Sequence, residues 1–329
     1  MFSSSAAPFD PETDIPSLKD KVIVITGSNG GLGYEALIIL GKHSPTKIYL
    51  CARSKEKYEK AMEGISAAIP NAAEFVKYRE LDLASLSSVQ KAANAFLAEN
   101  DRLDILMNNA GIMAQPPGLT KDGFEIQFGT NHMGHALFTK LLLPVLTKTA
   151  AEPNSDVRIV NLTSDVHMLA PKAGFLPGEC LTDMSTYSTW TRYGQSKLAN
   201  ILFTTELTRR YPSITSVTTH PGGVATNLLD SFKSNYPYIK MVVNPFWKLL
   251  ATPASIGAWN QTWAATAPVE GKAWTKSEGK ERRKVPEVRN GAYYTPVAKE
   301  GGQTKLAKDP ELARQLWEWT EEQLRENGY

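Results

Sequence analysis

The chain has 329 residues, 42% hydrophobic and 21% charged, with 36 Lys and Arg against 34 Asp and Glu. A formal charge of +2 offers no basic surface for nucleic acid and no pull toward anionic lipid, so neither is expected as a partner. The 2 cysteines, Cys51 and Cys180, have neither disulfide-framework nor zinc spacing, and with 5 scattered histidines they predict no metal and a reducing, cytoplasmic compartment.

The opening "MFSSSAAPFDPETDIPSLKD" lacks the basic and apolar regions of a signal peptide. It predicts an N-terminal arm over 1–20, flexible or draped, ahead of a single domain over 21–329. No apolar run approaches the ~18 residues of a membrane span, so no integral membrane segment is expected. "KVIVITG" predicts a buried strand, and "GYEALIIL" the helix after it. "KIYLCAR" is a second strand, residues 55–68 a helix, "EFVKYRELDL" a third strand and "LDILMNNAG" a fourth. A helix over 132–147 leads to "VRIVNLTS", and one over 196–211 leads to "SITSVTTHPGG". Continuous Val/Ile/Leu strands alternating with helices imply a parallel sheet covered on both faces. Right-handed crossovers make it an α/β, Rossmann-type doubly wound sheet.

From Val224 to about Thr295 the pattern is less regular and rich in Pro, Trp and Tyr. "DPELARQLWEWTEEQLRENG" predicts a C-terminal helix over about 310–326. Asp309 is its N-cap, Pro310 fits the first turn, and Leu312, Leu316 and Trp319 share a stripe.

"VITGSNGGLGYEA" sets Gly27, Gly31 and Gly33 between a strand and a helix. Small residues there let the backbone turn tightly and approach a pyrophosphate, while the helix N-terminus offers orphan N–H groups. A dinucleotide site is the reading in this context. NAD sites place an acidic residue at the end of the second strand to hold the ribose 2′-hydroxyl. This chain has "CARSKEK" instead, with Arg53, Ser54 and Lys55 where a 2′-phosphate would lie. The cofactor expected is NADP(H).

The strings "TGSNGGLG", "LDL", "NNAG", "TNHMGH", "VNLTS", "YGQSK" and "HPGGVAT" occur in order, each at its place in the alternation. Together, over about 21–229, the chain resembles the short-chain dehydrogenase/reductase family. Within it the chain is similar to retinol-dehydrogenase-like enzymes and their fungal relatives, some of which serve secondary metabolism. The resemblance implies a catalytic set. Tyr193 is its tyrosine, Lys197 the lysine partner, Ser164 the carbonyl-orienting serine, and Asn131 the asparagine that holds a relay water. It implies cofactor contacts at Gly27, Ser28, Gly31, Leu32 and Gly33 in the turn, and at Arg53 and Ser54. It places Asp82 and Leu83 at the adenine, and Asn109, Ala110 and Gly111 beside its ribose. Lys197 reaches the nicotinamide ribose next to Tyr193, and Pro221, Gly222, Val224 and Thr226 lie along the nicotinamide amide.

The chemistry of the pair can also be argued directly. Residues at i and i+4 share a helix face, so Tyr193 and Lys197 point the same way while Leu198, Ile201, Leu202 and Thr205 turn to the sheet. A free phenol titrates near pH ~10, and an adjacent ammonium favours phenolate. Lowering it by about 3 units needs roughly 4 kcal/mol. An asparagine at 131 is a poor helix former, which suits a side chain serving a site. His132, His135, His167 and His220 read as packing residues; Cys180 either lines the substrate mouth or fills space.

"FKSNYPYIKMVVNPFWKLLATP" follows the nicotinamide loop and reads as a substrate lid over about 230–255. Tyr236, Tyr238, Met241, Phe246 and Trp247 would line a pocket for a bulky apolar molecule. An oligomer contact or a membrane-touching patch are the competing readings. Met168, Leu169 and Trp190 would form a second wall. The expected activity is NADP-dependent interconversion of a carbonyl and an alcohol, in the reductive direction. The rivals are a non-redox NADP-binding module and reduction of a C=C or imine.

Overall fold

Residues 9–224, 252–271 and 285–329 are described in the computed structural model of the chain. The apolar runs form β1 (Val22–Thr26), β2 (Lys47–Ala52), β3 (Val76–Glu80), β4 (Ile105–Asn108), β5 (Arg158–Leu162) and β6 (Thr215–Thr219). Two short strands follow, β7 (Tyr293–Thr295) and β8 (Lys299–Glu300). All lie in one sheet of order β3-β2-β1-β4-β5-β6-β7-β8, parallel except for β8, which runs antiparallel to β7. The chain leaves β1 toward β2 and β3, then returns across it to β4. The C-terminal ends of β1 and β4 therefore flank a topological switch point, where such sheets bind ligands.

The helices are α1 (Pro11–Asp14), α2 (Gly31–Gly41), α3 (Lys55–Ala68), α4 (Ala72–Phe75), α5 (Leu86–Glu99), α6 (Ile126–Phe128), α7 (Gly134–Ala150), α8 (Thr189–Arg210), α9 (Ala254–Gly257), α10 (Trp259–Thr266) and α11 (Pro310–Glu326). Side chains of β1 alternate between two cores. Val22 and Val24 face Val89, Phe96, Leu137, Leu202 and Leu316 on one side. Ile23 and Ile25 face Leu37, Leu40, Ile65 and Trp263 on the other.

Several boundaries differ from the sequence expectation. The chain at 74–75 ends the short helix α4 before β3 begins. Helix α8 starts at Thr189, where Ser188 accepts a hydrogen bond from the Thr191 N–H at 3.0 Å, so Tyr193 sits inside the helix rather than ahead of it. The helix expected over 132–147 opens inside a five-residue π-helix, Gly129–Met133, and continues as α7. The arm is draped from Phe9 onward: Phe9, Ile15 and Leu18 are at most 3% exposed and join the Trp263 core. Burying a phenylalanine of this kind is worth about 2 kcal/mol. Helix α11 has the expected bounds, with Asp309 accepting from the N–H groups of Glu311 and Leu312. It packs on α8, where Trp317 stacks on Phe203 with centroids 5.1 Å apart.

Candidate active site

A cleft of about 460 Å³ opens over the C-terminal ends of β1, β2 and β4. Of the residues expected there, Gly27, Gly31, Leu32, Arg53, Asp82, Leu83, Asn109, Ala110 and Gly111 line it. Gly27 and Gly31 have φ of +65° and +56°, a backbone only glycine adopts freely. A Cβ on Gly27 would lie 2.9 Å from the Ala110 Cβ, so the turn between strand and helix closes against the β4 loop. Among the described residues no side chain caps the N-terminus of α2, and its first turn holds no acidic residue. Its first N–H groups and the positive end of its dipole are left for an anion. Asn109 anchors the facing loop: its Nδ2 donates to the Thr26 carbonyl at 2.8 Å, and its buried Oδ1 meets no partner among the described residues.

Three expected contacts have other duties. The Ser28 hydroxyl is buried and donates to the Ile25 carbonyl at 2.8 Å. Gly33 is needed for packing, since a Cβ there would stand 2.4 Å from Asn109 Nδ2 and 2.8 Å from the Gly27 oxygen. Ser54 caps α3 by accepting from the Lys57 N–H at 3.4 Å. Arg53 is exposed at the cleft edge, and its basic neighbour there is Lys57 rather than Lys55. Lys55 points along α3 to Glu59 at 3.6 Å. Spacing of i+4 from Arg53 was the available signal for Lys57. Uncapped helix, glycine cradle, orphaned amide oxygen and paired cations fit a dinucleotide carrying a third phosphate.

Gly111, Ile112 and Leu162 form one end of the cleft, and the expected catalytic residues gather behind them. Lys197 Nζ donates to the Leu162 carbonyl at 3.2 Å and lies 5.7 Å from the centroid of the Tyr193 ring. Asn131, on the π-helix, clasps Ile112: its Oδ1 accepts from the Ile112 N–H at 2.8 Å and its Nδ2 donates to the Ile112 carbonyl at 2.9 Å. Nδ2 also donates to Ser196 Oγ at 2.9 Å, which donates to the Tyr193 carbonyl at 2.8 Å. Both amide protons of Asn131 are thus engaged by the protein, and one lone pair of Oδ1 remains for a water. A Cβ on Gly111 would sit 3.2 Å from Asn131 Oδ1 and 3.3 Å from Lys197 Nζ, so the two groups converge on this glycine and a side chain there would crowd both. π-Turns of this kind recur at functional sites because the extra residue re-aims a side chain.

Ser164 follows β5 and caps the 3₁₀ turn Asp165–Leu169 by accepting from the Val166 N–H at 3.2 Å. Its hydroxyl donates to Asp165 Oδ1 at 3.1 Å and stands near the Tyr193 phenol. Burial pushes that phenol well above its ordinary value of 10.0; the Ser164 hydroxyl pulls it back and the Asp165 charge raises it further. Burial also pushes the Lys197 ammonium down, to about 8. The expected lowering of Tyr193 by Lys197 is not met by these two side chains alone, because desolvation is the larger effect.

Pro221, Gly222 and Val224 leave β6 beside this group. Gly222 has φ +84°, and Val224 pairs with Thr252 while filling the space over Gly257. Thr226 and the expected lid residues Tyr236, Tyr238, Met241, Phe246 and Trp247 lie outside the described residues. Met168 and Leu169 are more than half exposed just beyond Ser164, and Trp190 is half-buried at the start of α8. Cys180 fills space: it is buried, and Gln195 Nε2 donates to its Sγ at 3.3 Å. The four histidines are buried and hydrogen-bonded or packed, and burial lowers each of their pKa values. Asn29, Gly30, Gln115 and Thr130 also line the cleft and carried no sequence signal beyond their neighbours.

Comparison with known proteins adds four findings. The sequence family described as short chain dehydrogenase matches residues 21–176. An uncharacterized oxidoreductase of Schizosaccharomyces pombe is 37% identical over 93% of the chain and 86% of its own length. Retinol dehydrogenase 13 of Mus musculus is 35% identical over 92% and 83%. A solved but uncharacterized protein from Mycobacterium paratuberculosis superposes with a TM-score of 0.68 at 31% identity, covering 96% of this chain and 97% of its own.

Proposed function

The chain belongs to the short-chain dehydrogenase/reductase family of oxidoreductases, and from that premise we propose that it is an NADP-dependent reductase of a bulky apolar carbonyl compound. The observation that carries this reading is the convergence of Asn131 Oδ1 and Lys197 Nζ at Gly111, beside Tyr193 and at the end of a cleft whose far corner holds Arg53 and Lys57. NADPH, once bound, supplies the hydride to the carbonyl carbon.

The chain's own residues do the rest. Arg53 and Lys57 would hold the 2′-phosphate, the N-terminus of α2 the pyrophosphate, and Asp82 the adenine end. Tyr193 donates its phenolic proton to the carbonyl oxygen as charge develops there, and Ser164 gives that oxygen a second hydrogen bond. Burial by itself opposes this by raising the phenol; the cost is offset by Lys197 beside the phenolate and by hydrogen bonds to the developing charge, which are stronger away from water. Lys197 stabilises the phenolate left behind. Asn131 fixes Gly111 and Ile112 against the lysine and offers Oδ1 to a water that returns the proton. The exposed Met168 and Leu169 beyond Ser164 support an apolar substrate.

The test is NADPH oxidation with a panel of bulky aryl ketones and aldehydes. Turnover by the native chain should fall about 10²–10⁴-fold in Tyr193→Phe, with NADPH affinity kept. Full activity in that variant overturns the acid role. Tight NADPH binding without oxidation of any panel member by the native chain would mark a binding module instead.

A further inference from the structure

Glu125 and Arg192 are 0% and 1% exposed, yet both carry side chains that favour charge. Arg192 Nη1 donates to Glu125 Oε1 at 2.8 Å, and Nη2 donates to the Gln115 carbonyl at 2.7 Å. Glu125 Oε2 accepts from the Phe128 N–H at 2.6 Å, and the Glu125 carbonyl accepts from the Gly129 N–H at 2.7 Å. Its own N–H donates to the Cys180 carbonyl at 2.8 Å. A parallel tie runs beside the pair: Gln127 Nε2 donates to the Thr189 carbonyl at 3.1 Å, and the Thr189 hydroxyl to the Gln115 carbonyl at 3.1 Å.

These bonds join three parts of the site. Glu125 caps α6, which runs without a break into the π-helix that bears Asn131. Arg192 immediately precedes Tyr193 on α8. Gln115 lines the cleft. Taking two charges out of water is costly, and a well-packed apolar pair often stabilises a core as well or better. What an apolar pair lacks is direction, whereas a guanidinium fork fixes both distance and orientation. We infer that the Glu125–Arg192 pair is a positioning device: it sets Tyr193 against Asn131 and against the cleft wall at Gln115. Neither residue touches the reacting atoms. The inference rests on the catalytic roles proposed for Tyr193 and Asn131.

The test uses variants that leave no charge stranded. Arg192→Met alone abandons a buried carboxylate and risks misfolding. Glu125→Gln/Arg192→Met keeps an acceptor for the Phe128 N–H and removes both charges together. In that double variant, kcat at saturating NADPH should fall about tenfold or more, because misplacing reacting groups by an ångström can lower rates up to 10²-fold. The KM of the best carbonyl in the panel, the NADPH dissociation constant read by cofactor fluorescence, and the melting temperature should change little. Arg192→Lys keeps the charge but replaces the rigid planar fork with a rotatable point charge, so its kcat should fall between the two. A folded double variant with kcat within about twofold of the native chain overturns the positioning role. Tyr193→Phe in the same assay separates the two levels. Full activity there sinks the acid role; lost activity there with full activity in the double variant sinks only the positioning.

Discussion

Lys197 holds its Nζ 5.7 Å from the centroid of the Tyr193 ring, in a place where the two residues are 3% and 6% exposed. The contact that suits catalysis is therefore a strain on the fold. Burial lowers Lys197 from 10.5 to about 8, equivalent to roughly 3 kcal/mol against the charged form. Below pH 8 the lysine is charged in folded and unfolded chains alike, and the folded state bears the full penalty. Between about 8 and 10.5 the unfolded chain binds more protons, so stability rises with pH and the penalty fades. Leu162 keeps a hydrogen bond from Asn200 Nδ2 at 3.0 Å if the lysine is removed. Lys197→Met should thus be as stable as the native chain at pH 7 or more so, by up to about 3 kcal/mol, while losing turnover. Thermal melts at pH 7 and near pH 10 check it: a variant several degrees less stable at pH 7 contradicts the account.

The glycine turn and the Tyr–Lys pair were legible in the sequence because their requirements are local. Gly27 needs its positive φ whatever surrounds it, and residues 193 and 197 share a face on any helix. Lys57 had only its i+4 spacing from Arg53 to announce it, because its access to the cleft depends on β2 ending at Ala52 and Ser54 capping α3 two residues later. Nor was β7, whose three residues pair Tyr293 with Thr218 across a long separation and show no period of their own. The Glu125–Arg192 pair is invisible for the same reason: nothing in either neighbourhood announces that both charges end up buried.

Cofactor choice should follow the two cations at the cleft edge. Arg53 is exposed and Lys57 lines the same corner, so reversing their charge disturbs no core. Arg53→Asp should lower the ratio of NADP to NAD efficiency by about tenfold, and Arg53→Asp/Lys57→Glu by about 10²-fold. Stability should stay within about 0.5 kcal/mol. Steady-state kcat/KM for both cofactors gives the ratio; an unchanged ratio in the double variant refutes the 2′-phosphate assignment.

Gly33 should tolerate no side chain. A Cβ there meets Asn109 Nδ2 at 2.4 Å and the Gly27 carbonyl at 2.8 Å, and the second is backbone that cannot swing aside. Gly33→Ala must spread α2 from the β4 loop and break the Asn109 bond to Thr26. We expect about 1–3 kcal/mol of lost stability and at least tenfold weaker NADPH binding. Gly178→Ala, with φ −64° and nothing among the described residues within 4 Å of its Cβ, is the matched control and should behave as the native chain. Fluorescence titration and denaturant melts of the pair would expose the error if the two variants proved alike.

Acid sensitivity should come from the histidines under the π-helix. His132 sits between Phe128 and Phe203, with Nε2 3.0 Å from the Thr320 hydroxyl of α11. His135 Nδ1 faces the Asn131 carbonyl at 3.0 Å and must donate to it, leaving Nε2 to accept from the Thr26 hydroxyl at 2.9 Å. Burial pushes His132 to about 3 and His135 to about 4, helped by His135 beside His132 and by Lys197 near His135. A depressed histidine is neutral when folded, while the unfolded chain takes up protons below about 6.5. More protons bound by the unfolded state means stability falls as pH falls, by about 2 kcal/mol per histidine at pH 5. His167 and His220 shift in the same direction, so they add to the slope. Carboxylates that ion pairs hold low, such as Glu206, contribute only at more acid pH. His132→Phe, apolar between two rings, should therefore flatten the loss of stability between pH 6.5 and 5, removing about 2 kcal/mol of it. Denaturant melts across that window decide the matter, since an unchanged slope would place the acid sensitivity elsewhere.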